Sequence, residues 1–228
     1  MFGNTSMSCS YEDRSCSGAY VVFITFVRVF ISRKIYKKTG TNQLTKLMGA
    51  LKQQQNSDSP GSDKMRNLDV PEYFVIQFQV PGYSMTQYFK MRDNAVDDKV
   101  FMSLYKKFCS GDDDFRNSRI KIIPNMVSGG GYMVKRMVGN KPALLARKIA
   151  TEWYRGPNYI EMDINVHNFG SFARKGMEMM FGNFSKMIID VGFCVESRLD
   201  EEMPEMLLGQ VAMYKPNYEC ATPWTGPP

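Results

Sequence analysis

Histidine and the common catalytic motifs are scarce in this sequence. Its 228 residues include one histidine, His167, so a Ser-His-Asp triad or a histidine-rich metal site would depend on that residue alone. There is no G-x-S-x-G sequence, no P-loop and no G-x-G-x-x-G after a predicted strand. Asp112, Asp113 and Asp114 offer oxygen ligands, but no EF-hand spacing follows them. The sequence therefore predicts a non-catalytic protein without a metal or other cofactor.

Disulfide patterns and long apolar runs are also missing. The five cysteines are an odd number without C-x-x-C spacing, which favours a reducing, intracellular compartment. The apolar run at residues 19–31 contains Arg28 and is shorter than the roughly 20 residues that a spanning helix needs. We interpret it as a strand. The alternatives are a membrane-surface segment or short anchor, aided by the basic residues that follow, and a wrongly assigned start of the gene.

Charge is only mildly unbalanced. The 29 basic and 23 acidic residues give a formal charge of +6, which permits attraction to an anionic membrane or to nucleic acid but identifies neither. Composition divides the chain into three parts. Residues 1–67 are an N-terminal extension with a polar linker at 46–67, residues 68–217 are the main domain, and residues 218–228 are a tail.

The main domain shows clear strand and helix patterns. Residues 74–80 and 84–91 alternate around Pro81-Gly82 and predict a hairpin, and a helix is predicted from Asp97-Asp98 to Gly111. Further strands are predicted at 120–123, 132–138, 144–154, 159–166 and 206–214. Residues 159–166 alternate with Glu161 and Asp163 on the face expected to be wet.

A long helix is predicted at residues 169–195, because its charged residues occupy one narrow arc of the helical wheel. The alternative is a helix that ends near Gly182-Asn183. A helix that is apolar over most of its circumference needs a sheet curved around it. The predicted fold class is therefore α+β, with a curved antiparallel sheet wrapped around a long apolar helix in a helix-grip (START-like) or hot-dog-like arrangement.

Four collinear motifs carry a family resemblance. They are GDDDFRNSRIKIIP at 111–124, YMVKRMVGNKP at 132–142, YRGPNYIEMD at 154–163 and MPEMLLG at 203–209. The stretch from about 74 to 217 closely resembles the C-terminal domain of the plant enhanced-disease-resistance-two proteins. There it accompanies pleckstrin-homology and START domains, which are not found in this sequence, in membrane-associated regulators of defence and cell death. The resemblance implies binding of a lipid or of a membrane surface.

Two sets of residues are candidates for that function. An acyl chain would need an adaptable apolar lining, and core filling is the alternative role of the same residues. The lining candidates are Met133, Met137, Met177, Met180, Phe184, Met187 and Ile188. An anionic head group would need cations, and pairing with the nearby acids Asp112, Asp113, Asp114, Glu161 and Asp163 is their alternative role. The cationic candidates are Arg116, Arg119, Lys121, Lys135, Arg136 and Arg155.

Other functions fit the residues less well. A hot-dog-like hydrolase would require Glu161 or Asp163 as a catalyst, yet both are predicted on the polar face. Nucleic-acid binding is disfavoured by the small charge excess. A protein-interaction or scaffold module with a solid core remains the main alternative, and protein partners are possible on that hypothesis.

Overall fold

The computed structural model of the chain describes residues 30–33, 69–80, 83–92, 95, 97–138, 141–146, 149–217 and 222–223. Of the apolar run at 19–31, only residues 30 and 31 lie in this part, within strand β1 (Phe30–Arg33). The rest of that run, the polar linker at 46–67 and most of the tail lie outside the described residues. The domain boundaries at residues 67 and 217 therefore stay predictions.

The first sheet contains six strands. Besides β1 they are β2 (Tyr73–Val80), β3 (Tyr83–Lys90), β6 (Thr151–Arg155), β7 (Tyr159–Asn165) and β10 (Thr222–Pro223), in the order β10-β1-β3-β2-β7-β6. Strands β2 and β3 form the predicted hairpin, with Phe78 opposite Met85. Strand β7 pairs parallel with β2, so the prediction of an antiparallel sheet is wrong there. A tight hairpin forces antiparallel pairing, whereas the long connection from β2 to β7 does not.

The second sheet contains four antiparallel strands. They are β4 (Ile120–Ser128), β5 (Ala143–Leu144), β8 (Ile188–Val195) and β9 (Leu207–Tyr214), in the order β5-β4-β8-β9. The last of them confirms the strand predicted at 206–214. Strand β4 continues through Pro124, where it was predicted to end. Its pairing with β5 stops at Ile122, so no described residue on that side needs the N–H group that proline lacks.

Four helices occur in the described part: α1 (Lys99–Ser110), α2 (Asp113–Arg119), α3 (Gly131–Val138) and α4 (Ser171–Gly182). Helix α1 is confirmed, with the Asp98 carboxylate accepting a hydrogen bond from the Phe101 N–H at 2.8 Å. Helix α3 replaces the strand predicted at 132–138. The strand predicted at 144–154 is instead the separate strands β5 and β6. Gly129, Gly130 and Gly131 all have positive φ, and they turn the chain from β4 into a helix rather than a hairpin.

The long helix predicted at 169–195 is wrong, and the alternative end near Gly182-Asn183 is confirmed. Helix α4 stops at Gly182, and the backbone N–H of Asn183 donates to the carbonyl groups of Met180 and Phe181. A short 3-10 turn (Phe184–Lys186) leads into β8. In β8 the core residues recur with the period of two that a strand requires, namely Ile189, Val191, Phe193 and Val195. The fold is α+β with two sheets and short helices, and the described residues form no curved sheet around a long helix.

The two sheets share one hydrophobic core. The rings of Phe74 and Phe89 from the first sheet meet that of Phe193 from the second, with centroid distances of 6.4 and 5.9 Å to Phe193. Gly209 of β9 lies against the same cluster, since a Cβ at this position would come within 2.3 Å of the Phe89 ring. The sheets are thereby held closely together, and the surface features described below lie at the ends of their strands.

Candidate functional site

Arg119 and Glu202 form a buried ion pair between the start of β4 and the loop before β9. Arg119 Nη1 donates to Glu202 Oε2 at 2.5 Å and to the Glu196 carbonyl at 3.0 Å. The Glu202 carboxylate also accepts from the Arg198 N–H at 2.9 Å. Arg119 is the last residue of helix α2. Its contacts belong to the protein interior.

Three other cationic candidates also have internal partners. Arg116 Nη2 lies 2.8 Å from Asp113 Oδ1, and its Nη1 donates to the carbonyl of Gly111, so the turn there is held as the internal-pairing alternative predicts. Lys121 Nζ donates to Glu205 Oε1 at 2.6 Å. Arg155 donates to a backbone carbonyl at the end of α1 at 3.4 Å. A role for these three in binding an anion stays a prediction.

The predicted lining residues lie in or beside the core. Phe184 and Met187 are 1% and 0% exposed, and Met180 is buried with them. Met177 is partly buried against the same cluster, whereas Ile188 is a half-buried residue of β8 rather than a helix residue. The side chains of Met133 and Met137 lie outside the described part of the structure. The described lining candidates thus surround no enclosed space that the structure shows, and lipid contact by any of them stays a prediction.

The face of β7 predicted to be wet is buried. Glu161 is 7% and Asp163 is 8% exposed, although both lie on the face opposite the core residues Ile160, Met162 and Ile164. Removal from water raises the pKa of both carboxyl groups, and the two groups also interact with each other. The pair therefore holds a proton at pH values where isolated carboxyl groups would be charged.

A surface depression lies where β4 passes into α3. Its volume is about 660 Å³, and it is open to solvent. The lining residues are Gly129, Gly130, Gly131, Tyr132, Lys135, Asn183 and Lys186. A Cβ on Gly131 would meet no atom within 4 Å, so the backbone at the start of α3 is accessible from the depression.

Two lysines give this depression a positive charge. Lys135 projects from α3 and Lys186 from the 3-10 turn after α4, and both side chains are exposed. Arg136 follows Lys135 on α3 and is exposed as well. Among the described residues, no ion pair involves these three cations. They differ in this from Arg116, Arg119 and Lys121, whose charges are matched by internal acids.

The sequence singled out only part of this depression. Lys135 and Arg136 were predicted from the family motif, but on a strand. Lys186 was placed on the charged arc of a long helix, and the true end of that helix brings it beside Gly129, whose Cβ would lie 2.2 Å from the Lys186 carbonyl oxygen. The one signal in the sequence was the run of three glycines, which allows positive φ and a close backbone approach.

Within the described residues there is no cluster of three or more metal-ligating side chains. No helix in the same ranges is long and apolar enough to cross a bilayer. Cys109 and Cys194 are free and buried, and burial raises the pKa of each thiol to about 12, so neither is a reactive thiolate at neutral pH. His167 lies in a 3-10 turn between β7 and α4, where its backbone N–H donates to Asn165 Oδ1 at 3.0 Å.

The comparison with known proteins supplies the family. Residues 17–216 match the model described as "Protein ENHANCED DISEASE RESISTANCE 2, C-terminal". The chain belongs to this family. A curated relative, "Protein ENHANCED DISEASE RESISTANCE 2-like" of Arabidopsis thaliana, is 36% identical over 140 residues, which is 60% of this chain and 18% of the relative. The chain thus spans less than a fifth of that relative's length. No solved structure matches it.

Membership in the ENHANCED DISEASE RESISTANCE 2 C-terminal family confirms the resemblance drawn from the four motifs. The matched residues 17–216 include the whole depression and the Arg119–Glu202 pair. The match begins before β1 and includes the whole apolar run at residues 19–31. The depression therefore lies within the part of the chain that the family model matches.

Proposed function

We propose that this protein is a non-catalytic regulatory domain that binds an anionic group, the phosphate of a lipid head group, in the depression between α3 and α4. The observation that supports the proposal is the pair of exposed lysines, Lys135 and Lys186, which line one concave surface and have no acidic partner in the described part of the chain. Cations without acidic partners attract anions to a depression. They also lower the free-energy cost of removing the bound anion from water.

The start of helix α3 supports the same ligand chemistry. The first N–H groups of a helix have no acceptor within the helix, and they carry a partial positive charge. Gly131 opens α3 at the depression, and its lack of a side chain leaves room for a ligand close to the backbone. Across the depression, the Asn183 side-chain amide donates to the Met179 carbonyl at 2.8 Å and so covers part of the negative end of α4.

The packing of the core favours the head group over the acyl chain as the bound part. Phe184 and Met187, two of the predicted lining residues, are fully packed within the core. A protein-interaction module with a solid core is the alternative function, and the same packing is compatible with it. The two differ in whether the purified domain binds an anionic surface at all.

Vesicle co-sedimentation tests the proposal. We expect binding to vesicles of phosphatidylcholine with phosphatidylserine, weaker binding to phosphatidylcholine alone, and a steep loss of binding as salt is raised. In the double variant Lys135→Gln/Lys186→Gln the affinity should fall about 30-fold, at about 1 kcal/mol for each lysine near an anionic surface.

The matched control is Lys99→Gln/Lys106→Gln, which removes two exposed lysines from α1. It should leave binding nearly unchanged if the depression is the site. An equal loss in both double variants would show that net charge alone controls binding. No binding by the unmodified domain to either kind of vesicle would reject the proposal and favour the interaction module.

A further inference from the structure

Exposed apolar side chains are concentrated at one end of the second sheet. Among the described residues six large apolar side chains are exposed, and three of them lie at the end where β4 finishes and β8 begins. These three are Val127, Tyr132 and Tyr214, which are 50%, 76% and 63% exposed. We call them the apolar edge.

The strand register explains why residues so distant in sequence share this end. Ser128 of β4 lies opposite Ile188 of β8, which in turn lies opposite Tyr214 of β9. Val127 immediately precedes Ser128, and the turn at Gly129–Gly131 leads directly to Tyr132. The apolar edge therefore extends across the end of the sheet, beside the depression.

The same end carries the cations that have no acidic partner among the described residues. Lys186 lies two residues before Ile188, and Lys135 and Arg136 follow Tyr132 on α3. Lys215 Nζ lies 5.2 Å from the centre of the Tyr214 ring. Tyrosine has an apolar ring and a polar hydroxyl, and lysine has an apolar stem and a charged head, so both suit the boundary between water and a bilayer. Asp190 of β8 accepts a hydrogen bond from Asn125 at 3.3 Å.

We infer that the domain stands with this end of the second sheet on an anionic bilayer, and that Tyr132, Tyr214 and Val127 enter the interface while the lysines contact the head groups. The inference rests on the proposed function. It specifies that the bound anion belongs to the head groups of a bilayer and is not a soluble phosphate. A soluble phosphate would make no use of exposed apolar side chains, whereas a bilayer accepts their apolar surface and the cations together. Strand β8 would then run away from the membrane, with Glu196 and the Glu202 loop at the far end.

Depth-dependent quenching tests the orientation. Tyr132→Trp places a reporter on the apolar edge, and Leu199→Trp places one on the Glu202 loop at the opposite end, where Leu199 is 47% exposed. With vesicles of phosphatidylserine and brominated phosphatidylcholine, the fluorescence at position 132 should be quenched and shifted to shorter wavelength, and that at 199 should not. The two native tryptophans, Trp153 and Trp224, contribute the same background to both variants. Quenching at 199 but not at 132, or at neither while the protein sediments with vesicles, would overturn the inference.

A second pair of variants separates this inference from the proposed function. Val127→Ser/Tyr214→Ser keeps every cation and every residue that lines the depression. It should therefore bind inorganic pyrophosphate as the unmodified protein does but bind anionic vesicles roughly tenfold more weakly, because less apolar area leaves water. The matched control, Leu199→Ser/Met203→Ser, removes exposed apolar side chains from the other end and should bind vesicles normally. Unchanged vesicle binding by Val127→Ser/Tyr214→Ser would reject insertion and leave the head-group site standing. If only Lys135→Gln/Lys186→Gln lost binding to pyrophosphate and to vesicles, insertion would also be rejected and the head-group site would be supported.

Discussion

Glu161 and Asp163 are neighbours on one face of β7, and both carboxyl groups are buried. Asp163 Oδ2 accepts hydrogen bonds from the side-chain amides of Gln77 and Gln79 of β2 at 3.3 and 3.2 Å. On the other side, Glu152 and Tyr154 of β6 pair with Asp163 and Glu161 in the strand register. Tyr88 of β3 also interacts electrostatically with Glu161. The residues named here include no cation. The hydrogen bonds from Gln77 and Gln79 lower the pKa of Asp163, but burial is the larger effect, so the pKa values of both carboxyl groups remain raised.

This pair predicts a stability that falls as pH rises. A carboxyl group with a raised pKa in the folded state binds more protons there than in the unfolded chain. The stabilisation is complete below the ordinary carboxyl range, near pH 4, and is lost as pH increases through neutrality. One extra bound proton corresponds to a slope of at most about 1.4 kcal/mol per pH unit. Urea unfolding at a series of pH values measures it.

Glu161→Gln is the matched variant for that experiment. Because glutamine keeps the shape and does not ionise, the variant should lose most of the slope and be the more stable protein at pH 9. A slope that is the same in both proteins would show that other groups control the pH dependence.

Removing one partner of the Arg119–Glu202 pair should be strongly destabilising. Arg119→Gln leaves the buried Glu202 carboxylate without its guanidinium, and breaking a buried pair in this way costs about 3–5 kcal/mol. Chemical denaturation measures the loss, and vesicle binding by the folded fraction should be unchanged.

The control is the double variant Arg119→Met/Glu202→Gln, in which no charge is stranded. It should be less destabilised than Arg119→Gln. If instead Arg119→Gln is as stable as the unmodified protein and no longer binds anionic vesicles, Arg119 belongs to the head-group site.

Two adjacent residues test whether 188–195 is a strand. Ile189 is 2% exposed in the core, whereas Ile188 is half-buried on the other face of β8. Ile189→Asp should therefore cost roughly 3–5 kcal/mol or abolish folding, because it places an unpaired charge in the core. Ile188→Asp should cost far less. Equal losses in thermal denaturation would contradict the alternation.

Local sequence patterns were sufficient to predict an element where the residues that stabilise it lie within that element. The hairpin of β2 and β3 has strict alternation around Pro81-Gly82, and α1 has an Asp98 cap, an apolar stripe and a terminating Gly111, so both were predicted correctly. The family, too, followed from motifs that are continuous in sequence. In each case the deciding interactions lie within a few residues of each other.

The errors arose where the environment of an element was decided by distant parts of the chain. The sequence at 169–195 is apolar enough for a helix, and only the pairing of Ile188–Val195 with β4 and β9 makes its second half a strand. Glu161 and Asp163 alternate with apolar residues as a wet face would, yet folding buries them. Arg119 forms an ion pair with Glu202, and local spacing cannot predict this contact because the two residues are distant in sequence.

The sequence by itself thus determined the α+β class, the family and the identity of most strands, because period, turn residues and motifs are local properties. Among the described residues, the tertiary packing determines which cations have an acidic partner and which have none. Lys135 and Lys186 lie in one depression only because α4 ends at Gly182 and returns the chain to the end of β4. The physical reason is that a binding surface depends on which side chains meet across strands, and strand pairing is set by the packing of the whole core.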